Sequence, residues 1–301
     1  MLQEEKRQSR QERAFAGECM FSLKKQLIIL LVGLALYIAV AARDILFLRS
    51  LTIAVIFAVL TESSMLYFKN GAQLGLKPEV PFTGAQSRPA FIRGLKAAVL
   101  WRRDKKISFS ESSVISGLII GFVLAGDCAW WVLALASLFA ISSKYLIRVD
   151  KRHLFNPAGL GIFLAMLSLG ANSEWLGTYL WYILIPAGLY LAYKIRKLSL
   201  VTGYALATFI LFGAQALAQG SSLFNILGTL SYFFIFIMLI EPKTTPFKTK
   251  GQIVFGAAVA ALIFILSNAG VRFDIELGSL LLLNILVPFI NKLPELRLRK
   301  I

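Results

Sequence analysis

Histidine, cysteine and acidic residues are scarce in this chain: 1 His, 2 Cys and 16 Asp plus Glu among 301 residues. So few soft ligands cannot assemble a His/Cys metal cluster within the chain, and no metal or haem site is expected. Cys19 precedes the first apolar run and Cys128 falls near the opposite surface in the reading below, so no disulfide between them is expected. Polar stretches are scarce too: 57% of residues are hydrophobic and 16% charged, which excludes a water-soluble domain of ordinary proportions.

What is present is a succession of apolar runs, each near the roughly 20 residues that a helix needs to cross about 30 Å of hydrocarbon. Spans are expected at 26–42, 45–67, 113–126, 129–146, 156–170, 177–193, 199–218, 222–240, 252–268 and 276–291. The fold expected is an all-α polytopic membrane protein of about ten transmembrane helices. Five spans in each half would make equivalent helices run oppositely, as in two inverted five-helix repeats.

The net charge of +16 would point to nucleic acid in a soluble chain, but its placement here points to the bilayer. With these spans, 29 of the 32 Lys and Arg residues fall on the side of the two tails, and only Arg43, Arg49 and Arg272 on the other. Positive-inside bias then places both termini and the basic loops in the cytoplasm, against the inner membrane, with no nucleic-acid partner. The divisions are a cytoplasmic tail at 1–25, a first half at 26–170 that includes a basic loop at 69–111, a second half at 171–292 and a basic tail at 293–301. Within the loop, Ala90–Trp101 reads as an amphipathic surface segment, and the whole loop either as a solvated topology signal or as a docking site for a soluble partner. Ala39-Val40-Ala41 resembles a signal-peptidase site, although the charged region before it is unusually long.

Three stretches carry candidate chemistry. Ser112–Gly121 opens the third span, and Ser116 with Gly117 would let either a neighbouring helix or a flat ligand come close. Lys144–Ala158 holds the lone His153, which ordinarily titrates near neutral pH, and Asn156-Pro157, a helix start with Asn156 as its cap. In Phe233–Lys250, Glu241 ends an apolar run, where a carboxylate marks an ion or proton pathway or else pairs with a nearby lysine. Thr244 and Thr245 add hydroxyl donors beside it.

In order, Ser116-Gly117-Leu118, Trp130-Trp131, Lys144, His153–Ala158, Met238–Pro246 and Gly278–Pro288 with Asn284 resemble the RnfD/NqrB family of membrane subunits, over about residues 26–292. The resemblance implies a subunit of a redox-driven pump that moves sodium ions or protons. Its best-known members carry FMN esterified to a threonine in a Ser-Gly-Ala-Thr context. That motif is missing, and Thr178 in Gly170–Thr178 lacks the context. The chain is therefore similar to a divergent branch, for which FMN or riboflavin held non-covalently is expected. Ser116, Gly117, Lys144, His153, Asn156, Thr244 and Thr245 are the candidate cofactor residues, and Glu241 the candidate ion or proton residue; no catalytic residue is assigned.

Three readings follow. The first is an electron-transfer subunit that binds flavin or docks a separate flavoprotein or iron–sulfur reductase, beside other membrane subunits; any enzymatic activity would be that of an oxidoreductase and ion translocase. The second is a non-redox transporter of a small molecule or ion, flavin-related in one version. The third is a structural membrane anchor of a redox assembly.

Overall fold

A computed structural model describes residues 23–41, 45–73, 110–124, 126–149, 152–271 and 273–292, with side chains of the second helix described over 46–67. The expectations for Cys19, for Ala90–Trp101 and for most of the tails and of the 69–111 loop lie outside the described residues. The described residues are almost wholly helical, as the apolar runs require, and the chain is a multi-pass membrane protein.

Among the described residues, five helices are long and apolar enough to cross a bilayer by themselves. They are α1 (Leu23–Ala41), α2 (Ile45–Gln73), the 3₁₀-led α6 (Leu176–Leu180 running into Trp181–Lys194), α7 (Leu198–Ala218) and α9 (Thr249–Asn268). Between them lie shorter apolar helices: α3 (Glu111–Val123), α4 (Trp130–Leu146), α5 (Pro157–Leu169) and α10 (Ile275–Asn284). At 13 residues each, α3 and α5 extend about 20 Å at 1.5 Å per residue, less than the hydrocarbon thickness.

The eighth and tenth expected spans are not continuous. Residues 222–240 divide into α8 (Phe224–Thr229) and a second segment carrying a π turn at Phe234–Met238. The break falls at the extended Leu230, after which the Ser231 hydroxyl accepts from Phe234 N at 3.3 Å and restarts the helix. The tenth span ends α10 at Asn284 and resumes as α11 (Val287–Lys292). Pro288 explains the interruption, because its ring clashes with the carbonyl of residue 284 and it offers no N–H.

In the first half α2 packs on both α3 and α4, and α4 on α5; in the second half α7 packs on α9, and α9 on α10. Small residues set these distances: a Cβ on Gly117 would sit 2.6 Å from Val55 Cα, and one on Gly256 would overlap the Leu200 carbonyl. The halves meet through an aromatic core in which Phe122 stacks on Phe233 at 5.2 Å and Trp175 meets Phe234 at 6.0 Å.

Candidate functional site

The basic end of the bundle is built by the turn between α4 and α5, by the turn at 241–248 before α9, and by the α10–α11 junction. After α4, β1 (Arg148–Val149) and β2 (Arg152–His153) pair antiparallel and turn the chain toward α5. Asn156 then caps α5, its side chain accepting from Gly159 N at 3.0 Å with Pro157 in the first turn, as the sequence foretells.

The same Asn156 ties the three segments together. Its side-chain amide donates to Met238 O at 3.3 Å, a carbonyl at the end of the π turn. Its backbone N–H donates to the Asn284 side chain at 3.2 Å, and Asn284 in turn donates to Thr244 O at 3.0 Å, in the amide orientation that satisfies both partners. Asn284 is fully buried at the end of α10, so the helix break at Pro288 delivers it to this junction. Thr244 and Thr245 are buried as well; the Thr244 hydroxyl reaches Glu241 at 3.4 Å and that of Thr245 donates to Glu241 O at 2.7 Å.

Lys144 is spoken for. Its side chain is 4% exposed, and its amine pairs with Glu62 at 3.2 Å and donates to the Ser112 carbonyl and hydroxyl at 3.2 and 3.1 Å. Tyr145 donates to the other Glu62 oxygen at 3.2 Å. A lysine within an apolar helix needs such a counter-ion, and α2 supplies it. Glu62 is the residue that sequence reasoning missed: its signal was a lone carboxylate inside the second span, facing a span that ends in lysine.

His153 Nδ1 lies 3.2 Å from Lys144 O, and since a carbonyl only accepts, Nδ1 carries the proton and Nε2 the lone pair. Burial, then the Lys243 and Arg148 charges, lower this imidazole to about 4, so it is neutral at pH 7 rather than titrating there. In the turn after the eighth span, burial raises Glu241 to about 7 against the pull of Lys144 and Lys243. Lys197, in the α6–α7 turn, is also lowered by burial, to about 8, and donates to Pro246 O at 2.6 Å.

Thus Lys144, His153, Asn156, Glu241, Thr244 and Thr245 form one connected neighbourhood. Ser116 and Gly117 do not join it. The Ser116 hydroxyl is turned back to Ser112 O at 2.9 Å, and the bare face of Gly117 is filled by the α2 backbone. Of the two roles open to Gly117 in the sequence, helix packing is the one that the geometry matches.

Two cavities adjoin this architecture. One, of about 140 Å³ at the basic end, is lined by residues including Arg152, His153, Lys243, Thr244 and Lys292. The other, of about 590 Å³, lies where the 170–178 segment meets the α8 break and the start of α10. Trp175, Tyr179 and Phe273 give it aromatic walls, and Glu174, Asp274 and Glu276 carboxylates. Asp274 caps α10 through Leu277 N at 2.9 Å and accepts from Ser173 and from Trp175 Nε1, both at 2.9 Å.

Fold and site together define a polytopic helical membrane protein whose signature polar residues gather at one end, between a broken tenth span and a capped fifth. A model of the "NQR2, RnfD, RnfE family" matches residues 168–298. The chain is similar to a subunit of the proton-translocating ferredoxin:NAD(+) oxidoreductase complex of Clostridium ljungdahlii, 21% identical over 70% of this chain and 83% of that protein. It is similar to a subunit of the ion-translocating oxidoreductase complex of Tolumonas auensis, 40% identical over 21% of this chain and 18% of that protein. The corresponding protein of Cellvibrio japonicus is 27% identical over 35% of this chain and 31% of its own length. The resemblance drawn from the motifs is borne out, and the chain is RnfD/NqrB-like.

Proposed function

We propose that the chain is an integral membrane subunit of a redox-driven, ion-translocating complex, and that it carries flavin non-covalently. The observation that supports this best is the hydrogen-bonded junction of Asn156, Asn284 and Thr244, which joins three of the motifs on which the family resemblance rests. In this reading the basic end faces the cytoplasm of a cell with an inner membrane and meets a separate flavoprotein or iron–sulfur reductase. The two halves are an inverted repeat, a reading supported by the matching pairs α2–α4 and α7–α9.

Flavin supplies one- or two-electron chemistry wherever it is bound. The cavity at the basic end, at about 140 Å³, is smaller than the roughly 300 Å³ of ordinary small-molecule sites. The cavity beside Trp175, at about 590 Å³, is of the right order. Trp175, Tyr179 and Phe273 would stack or edge against the ring, and Thr178, Thr229 and Ser231 would hydrogen-bond it. Carboxylates along this wall repel a phosphate, so the residues fit riboflavin better than FMN. Chromatography of the flavin released by acid from the purified protein tests this: riboflavin is expected, FMN would move the site elsewhere, and absence of both would remove the flavin.

Broken spans beside a cavity also favour a second reading, a non-redox transporter. Substrate flux in liposomes that needs no electron donor and responds to Glu241→Gln would support it over the first.

A further inference from the structure

We propose that the cavity at the basic end is a binding site for a phosphate-bearing anion, seated there as the headgroup of an anionic phospholipid. Three cations from three separate segments line it: Arg152 from β2, Lys243 from the turn before α9, and Lys292 from α11. No carboxylate is among its lining residues, and none of the three cations is ion-paired with a carboxylate among the described residues. Positive charge is therefore concentrated at the cavity wall, the Glu241 and Glu62 carboxylates that act on Lys243 lying outside the lining, a condition in which an anion is recruited rather than repelled.

The site is shaped as well as charged. The Arg152 guanidinium lies over the Phe247 ring, 3.8 Å from its centroid, which fixes its plane. The Asn291 side-chain oxygen accepts from Phe247 N at 3.1 Å, so its amide nitrogen remains a donor at the cavity wall. A volume of about 140 Å³ suits a phosphate group and excludes a fused ring system.

The surroundings select a lipid. Phe247 is 49% exposed at the cavity, and Ile285, Leu286 and Phe289, on the segment that forms its wall, are 43, 47 and 66% exposed. Apolar side chains left open next to a cationic recess suit acyl chains beside a headgroup, and basic pockets between helices take such headgroups. The proposal stands apart from the flavin reading, which concerns the other cavity.

The test uses the full chain purified in detergent. Native mass spectrometry counts the lipid retained from micelles doped with phosphatidylglycerol or with phosphatidylcholine, and thermal unfolding follows a titration with inorganic phosphate in parallel. Phosphatidylglycerol is expected to be retained in preference to phosphatidylcholine, and Arg152→Gln/Lys243→Gln to weaken its retention about 30-fold, roughly fivefold per charge removed. Lys248→Gln/Lys250→Gln, an equal charge loss outside the cavity lining, is expected to leave retention unchanged. Protection by inorganic phosphate alone, lost in the Arg152/Lys243 variant, would also support the site, with free phosphate as its ligand. Retention and protection equal to wild type in that variant would overturn it. If that double variant does not fold, Lys292→Gln decides in its place: about fivefold weaker retention supports the site, and no change overturns it.

Discussion

Lys144 and Glu62 place a charged pair inside the helical bundle, and removing one partner strands the other. Lys144→Met should destabilise the protein by about 3–5 kcal/mol, and Glu62→Gln combined with Lys144→Met should recover most of that loss. Thermal unfolding in detergent measures both; equal destabilisation by the single and double variants would show that the pair itself is not the source. At His153 the sign follows from a folded-state value of about 4 against an ordinary 6.5. Between those values the unfolded chain binds more protons, so stability falls as pH falls through the window from 6.5 to 4, and His153→Gln should flatten that slope. The sequence made Lys144, His153, Asn156 and Glu241 legible because each is a polar residue at the edge of an apolar run. It did not reveal that Glu62 answers Lys144, since that pairing spans 82 residues and depends on how α2 leans on α4.

Helices were legible wherever their apolar runs were long, because length and hydropathy suffice to define a crossing helix. The interruptions in the eighth and tenth spans were less so, since Gly228-Thr229-Leu230-Ser231 is only four residues between apolar runs and the segment around Pro288 is itself apolar, so neither registers as a loop. Only the fold shows that Ser231 restarts one helix and that Pro288 releases Asn284 toward Asn156. Pro288→Ala should therefore favour a continuous α10–α11 helix and pull Asn284 away from Thr244 and Asn156, read as a lower melting temperature or faster amide exchange at Asn156, whose N–H donates to Asn284. Gly256→Val would drive a side chain into the Leu200 backbone and should cost about 1–3 kcal/mol, measured by thermal unfolding. A neutral outcome would mean that α7 and α9 are not held as closely as described.

At the scale of the molecule, charge divides the bundle into a basic end with Arg152, Lys243 and Lys292 and an opposite end where Glu174, Asp274 and Glu276 meet. The bias was plain in the sequence; the two cavities that lie at those ends were not, because each is assembled from segments far apart in the chain. That division separates the work proposed for the two ends: partner docking and anion binding at one, an aromatic-walled cavity at the other. The measurement that tests the central claim most directly is the visible absorption spectrum of the detergent-purified chain, before and after acid precipitation. The account predicts a flavin spectrum that passes into the acid supernatant. A colourless protein that takes up no added flavin would contradict it.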